Sequence, residues 1–101
     1  MINKKFIKSK QTCQVTFLLP EEVKAKQASV VGEFNGWDAN KHPMNKVKGV
    51  WKTTVEVDQN HEYQYRYLVN GNEWLNDNQA DKYVPNNLDG DNSVVVTYNG
   101  N

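Results

Sequence analysis

The chain has 101 residues, enough for one domain and too few for a catalytic barrel or a doubly wound enzyme core. Twelve basic and twelve acidic side chains cancel, so the totals lack the basic excess that marks a nucleic-acid binder. A single cysteine, Cys13, excludes an internal disulfide framework, and an apolar fraction of 38% points to a folded, soluble domain held by its core instead.

In chain order, Met1–Lys10 holds Lys4, Lys5, Lys8 and Lys10 and no apolar run of signal-peptide length. It reads as a solubilising, edge-protecting terminus. No stretch approaches the roughly 18 apolar residues of a membrane span, so a cytoplasmic, non-membrane protein is expected, in keeping with the lone thiol. Period-two alternation then dominates. In Thr12–Leu19, Cys13, Val15, Phe17 and Leu19 point one way, and Pro20 ends the strand. Glu21–Gln27 is no more than a turn. Ala28–Glu33 is a short apolar strand. Trp51–Val57 alternates Trp51, Thr53, Val55 and Val57 against Lys52, Thr54 and Glu56. Asp58-Gln59-Asn60 reads as the short connection of an antiparallel hairpin. Glu62–Val69 sets Tyr63, Tyr65, Tyr67 and Val69 against Glu62, Gln64, Arg66 and Leu68. Asn70-Gly71 is a hairpin signal, because both turn positions want positive φ; it predicts pairing with a strand near Glu73–Leu75. Asn76–Asn92 reads as a long polar loop containing Pro85 and Gly90. Ser93–Tyr98 closes the chain with Val94, Val96 and Tyr98 on one side. About seven short strands over residues 1–101 predict a single all-β domain, an immunoglobulin-like antiparallel β-sandwich.

Residues 1–52 contain ten basic and four acidic side chains, and residues 53–101 two and eight. The two halves are expected to interleave in an all-β fold and blur that asymmetry.

The residues for covalent or acid–base catalysis are not evident. His42 and His61 fall in predicted turns, and Cys13 sits on an apolar strand face, where a thiol is a small buried hydrophobe. No phosphate loop or zinc-ligand spacing occurs. Asp89-Gly90-Asp91-Asn92 has part of a calcium-loop pattern but lacks its further carboxylates and distal Glu, so it reads as a polar turn. No catalytic residue, metal or cofactor is expected.

The tryptophans are more informative. Trp51, in phase with Val55 and Val57, reads as a core indole between the sheets. Trp37 follows Phe34-Asn35-Gly36 in a polar loop, and Trp74 lies just past the Asn70-Gly71 turn. Flat exposed indoles suit sugars: the C–H face of a pyranose stacks on the ring while its hydroxyls radiate to polar partners. Arg66, out of phase with the tyrosines, faces out if the tyrosine face is core, and it and the Asn-rich loop are the candidate polar partners. The competing reading is that Trp37 and Trp74 cap the ends of a small core.

Val31-Gly32-Glu33-Phe34-Asn35-Gly36-Trp37-Asp38 resembles the Gly-x-Phe-Asn-x-Trp signature of the family 48 carbohydrate-binding modules. Tyr65-Arg66-Tyr67-Leu68-Val69-Asn70-Gly71 resembles that family's aromatic-basic-aromatic hairpin. Trp74 follows as the second tryptophan, one residue further from the turn than in the kinase-type domain, and Leu88 and Asn92 match its loop leucine and asparagine. The likeness runs from about Val15 to Val96, with Asp77–Pro85 built differently. The family includes N-terminal domains of isoamylase and glycogen-branching enzymes and the glycogen-binding domain of AMP-activated protein kinase β subunits; the chain is similar to its free-standing bacterial members. The resemblance implies binding of α-1,4-glucan oligosaccharide or polysaccharide, such as glycogen or starch. Trp37 and Trp74 would stack on glucose rings, Arg66 and Asn92 would bond hydroxyls, and Leu88 would press into the curve of the glucan.

The leading expectation is a non-catalytic, monomeric glucan-binding module. It would work alongside a glycogen-metabolising enzyme, without nucleic-acid or membrane partners. The second is a protein-interaction or regulatory domain of the same fold without a working sugar site, its charge split favouring self-association or pairing with such an enzyme. Hydrolysis of α-glucan is the third, with no identifiable acid–base pair to support it.

Overall fold

A computed structural model describes residues 2–86 and 88–98. Nine strands are present among them: β1 (Ile2–Ile7), β2 (Thr12–Leu18), β3 (Ala28–Gly32), β4 (Asn45–Val47), β5 (Val50–Asp58), β6 (Glu62–Val69), β7 (Glu73–Leu75), β8 (Lys82–Asn86) and β9 (Gly90–Val96). One sheet has the order β1-β2-β5-β4. The other runs β3-β6-β9-β8, with β7 added against β6. Every pairing is antiparallel, and the two sheets face each other as an immunoglobulin-like sandwich. No helix among the described residues is long and apolar enough to cross a membrane.

The alternation in β2 works as expected: Cys13, Val15, Phe17 and Leu19 are buried, while Gln14 and Thr16 are partly exposed. Val55 and Val57 of β5 join them, facing Tyr65, Tyr67 and Val69 of β6 from the opposite sheet. Phe17 bridges the layers, with its ring centroid 4.8 Å from Tyr65 in an edge arrangement and 5.4 Å from Phe34 in a stacked one. In β9 it is Val95 that enters this cluster, whereas Tyr98 is exposed.

The hydroxyls of Tyr65 and Tyr67 both donate to Asp77 Oδ2, each at 2.9 Å. Asp77 is fully buried; its backbone N–H donates to Ser93 Oγ at 2.8 Å, and its Oδ1 accepts the N–H of Gln79 at 2.9 Å. Burial, reinforced by the neighbouring carboxylate, pushes both phenols far above their ordinary pKa. They therefore remain neutral donors.

The structure corrects four expectations. Asp58-Gln59-Asn60 does not close a hairpin: β5 and β6 lie in different sheets, and the segment carries the chain between them. Its hydrogen bonds explain why. Asn60 N–H donates to Thr97 O at 2.7 Å, Thr97 Oγ1 donates to Asp58 O at 2.7 Å, and the Gln59 side chain donates to Thr12 O at 2.9 Å. The bend is held by distant strands rather than by a ladder of its own. The polar stretch Asn76–Asn92 is not all loop, since it contains β8, paired with β9 at the sheet edge. An edge strand tolerates Pro85 because one of its sides needs no N–H. Trp51 is only partly buried; it packs on the core margin and lines a cleft with Leu19, Lys24 and Lys46. Finally, the halves do not interleave. Residues 2–58 supply one whole sheet and give up only β3 to the other.

The Lys-rich terminus is an edge strand, β1, paired with β2, and Lys4 forms an ion pair at 2.7 Å with Asp81, the residue just before β8 of the opposite sheet. β3 is buried along its whole length, and residues 42–44 return along its edge: Val30 N–H donates to His42 O, and Met44 N–H donates to Ala28 O.

Removing one phenol from a buried carboxylate strands part of its acceptor capacity. Tyr65→Phe and Tyr67→Phe are each expected to cost about 1–3 kcal/mol in urea unfolding. Phe17→Ala should cost about 3–5 kcal/mol and Trp51→Ala clearly less, a ranking that would reverse if Trp51 were the central core ring.

Candidate functional site

The segment Gly32–Trp37 is shaped by one constraint per residue. Gly32 lies so close to β6 that a Cβ there would collide with Gln64 O and the Tyr65 Cβ. Phe34 turns inward onto Phe17. Asn35 is buried and uses its whole amide: Oδ1 accepts the Gly32 N–H at 3.0 Å, and Nδ2 donates to Val30 O at 3.1 Å and to His42 Nδ1 at 2.9 Å. Gly36 and Trp37 then both take left-handed backbone, at φ 66 and 61, and Trp37 N–H donates to Gly32 O at 2.8 Å. Such a φ is uncommon for a bulky residue. The outcome is an indole standing 42% exposed beside β6.

Trp74 reaches the same face from the other side. The Asn70-Gly71 turn has the expected positive φ at both positions, 55 and 76, and returns the chain so that Trp74 lies opposite Leu68. Asn70 Oδ1 fixes the turn by accepting the N–H of Lys26 at 2.7 Å. Trp74 is 47% exposed and Leu88 94% exposed. Trp37, Arg66, Trp74, Leu88 and Asn92 together line one depression of about 320 Å³, and Asn86 and Asp89 complete it.

The polar members are bonded to one another. Asn92 Nδ2 donates to Gln64 Oε1 at 2.9 Å, and its Oδ1 accepts from Asn86 Nδ2 at 3.1 Å. Asn86 Oδ1 in turn accepts the backbone N–H of Leu88 at 2.8 Å and of Asp89 at 2.9 Å. Arg66 faces out from β6, as its phase predicts, and is gripped there. Nη1 and Nη2 donate to the two carboxylate oxygens of Asp89 at 2.9 and 2.8 Å, and Nη2 also donates to Asp91 O at 2.8 Å. These hydrogen bonds from Arg66 hold the Asp89 carboxyl below its ordinary pKa.

Sequence reasoning named neither Asn86 nor Asp89 for this surface. Asp89 stood in a segment read as a polar turn. The one available signal was chemical: an outward arginine between two tyrosines on a strand wants a counter-charge, but nothing local says which acid supplies it.

Two comparisons with known proteins bear on this surface. Residues 20–87 match the family described as carbohydrate-binding module 48 (isoamylase N-terminal domain). That span takes in Trp37, Arg66 and Trp74 and stops short of Leu88 and Asn92, narrower than the likeness read from the motifs. A 1,4-alpha-glucan-branching enzyme of Aspergillus oryzae is 59% identical over 32 residues, 31% of this chain and 5% of the enzyme. The 1,4-alpha-glucan branching enzyme GlgB of Thiobacillus denitrificans is 42% identical over 45 residues, 42% of this chain and 6% of the enzyme. The chain thus spans a small fraction of the length of these relatives.

The Asn35–His42 contact makes the Trp37 loop sensitive to pH. Asn35 Nδ2 can only donate, so His42 Nδ1 must be unprotonated. Burial, with a lesser contribution from Lys41, holds the imidazole below its ordinary pKa. The stabilisation is therefore complete above the ordinary imidazole value of about 6.5 and is lost as pH falls through the lower folded-state value. Thermal melts should show stability declining below about pH 6.5, and His42→Gln should flatten that decline; an unchanged slope in the variant would assign it to another group.

Proposed function

The chain belongs to the carbohydrate-binding module 48 family, of isoamylase N-terminal type, and from that premise we propose that it binds α-1,4-linked glucan without acting on it. The observation that carries this reading is the pairing of two half-exposed indoles and a fully exposed leucine around one shallow depression. Indole faces take the C–H faces of successive glucose rings, and Leu88 fills the apolar concavity of a curved chain. The branching-enzyme relatives, which by name act on 1,4-alpha-glucan, support the linkage class. An acid–base role is disfavoured by Asp89, the carboxylate lining the depression. Glycosidases pair a carboxylic acid kept protonated with a second, ionised carboxylate; Arg66 holds Asp89 below its ordinary pKa, which unfits it as the acid, and no second carboxylate among the described residues lines the depression. Trp37 is bent into left-handed backbone at a cost of order 1–2 kcal/mol, and its ring stands half-exposed on the rim of the depression.

Such a module works in the cytoplasm as a monomer beside a glycogen-metabolising enzyme; the buried, reduced Cys13 suits that compartment. A second reading draws on a different cleft. Partly buried Trp51 lines it with three lysines, Lys24, Lys26 and Lys46, and one acid, Glu21, a net basic surface suited to an acidic protein partner.

Titration with maltoheptaose is expected to give a saturable change in tryptophan fluorescence, and cellobiose none. Trp37→Ala and Trp74→Ala should each weaken binding about tenfold or more while keeping a cooperative melt. A flat titration of the unaltered protein would end the glucan reading and leave the docking domain as the better account.

A further inference from the structure

The polar groups on the depression differ in what they have left to offer. The Arg66 side chain is 12% exposed and that of Asp89 61%. Nη2 of Arg66 has both protons engaged, Nη1 one of its two, and Nε is buried with no partner among the described residues. Asn92 is buried, with both amide atoms bonded. Asp89 differs. A carboxylate offers about four lone-pair sites, the guanidinium occupies one on each oxygen, and the rest face solvent.

We propose that Asp89, rather than Arg66, is the residue that takes the hydroxyls of a glucan lying across Trp37 and Trp74, and that it makes this surface select neutral over phosphorylated glucans. This rests on the glucan reading above. Arg66 is a positioning residue: its planar fork fixes both oxygens of Asp89 at once, and Asn86 holds the Asp89 backbone from the other side. A carboxylate accepts hydroxyl protons and donates none. A sugar arriving at the depression therefore meets an acceptor whose orientation is set before binding, which lowers the ordering cost of association. The same carboxylate repels a phosphate group, because the one arginine that would attract it is already neutralised. Selection of this kind is a difference of affinities created by a repulsive element.

The test is titration of the intact domain and its Asp89→Asn variant with maltoheptaose and with phosphorylated maltoheptaose, with Asp89→Ser as a second variant and far-UV circular dichroism as a fold control. Asp89→Asn is expected to weaken maltoheptaose binding about tenfold, the scale of one charge-assisted hydrogen bond. It should also raise affinity for the phosphorylated ligand, since the carboxylate charge that repels it and neutralises Arg66 is gone. A loss of fold cannot move the two ligands in opposite directions. Unchanged or tighter maltoheptaose binding by both variants would overturn the assignment and make Arg66 the direct donor; equal losses for both ligands would overturn the selectivity. If the unaltered protein binds neither ligand, the glucan reading itself falls, an outcome distinct from binding that is indifferent to Asp89.

Discussion

A buried carboxylate organises this sandwich. Asp77 has no exposed surface, and a charge taken from water is tolerated only when hydrogen bonds replace the hydration it loses. Tyr65 and Tyr67, successive inward residues of β6, supply two of those bonds. The same two rings pack edge-on against Phe17 from the other sheet. One pair of side chains thus serves the apolar core with its faces and the buried acid with its hydroxyls. Through Asp77, the chain leaving β7 is tied to β6 and, by Ser93, to β9. Asn76 reinforces the tie, its Oδ1 accepting from Ser93 and its Nδ2 donating to Asp91 O. The elements that flank the depression are therefore set by a polar knot beneath it, and Trp74, two residues before Asn76, is placed by that knot as much as by its own hairpin.

The depression is built before anything binds. Gln64, Asn92 and Asn86 form a continuous chain of amides ending at the backbone of Leu88 and Asp89, and Arg66 joins it from the side. The bonded side chains of that amide chain rigidify what they hold. Leu88, though almost wholly exposed, is not on a loose tip: its own N–H is bonded to Asn86.

How much of this could be read in the residues depends on the range of the interactions. Alternation in β2 and β6 and the Asn70-Gly71 turn are local, and the structure follows them. The exposed character of Trp37 and Trp74 was legible for a similar reason, since Trp37 stands among turn residues and Trp74 on a short strand just past a turn, neither in a long alternating run. The bend at Asp58–Asn60 was misread because a hairpin and a crossover between sheets can have the same short connection. What separates them is Thr97, far along the chain. β8 was hidden by its surroundings, because the Asn and Asp on either side of it and Pro85 within it signal loop, while an edge strand needs hydrogen bonds on one side alone. The Arg66–Asp89 pair and the Asp77 knot join residues 10 to 23 positions apart, and periodicity carries no information about such partners.

The left-handed backbone at Trp37 has an evolutionary side. Glycine or asparagine would make the same turn with less strain, so on the glucan reading the tryptophan is kept there for its ring. Should selection for the ring relax, backbone preference and mutation would push position 37 in the same direction, and the change would be hard to reverse, because restoring the indole means accepting the strain again without immediate benefit. Position 37 thus works as a ratchet. In sandwiches of this kind, the identity of that one residue should record whether a lineage has kept its platform, even where the rest of the fold has hardly changed.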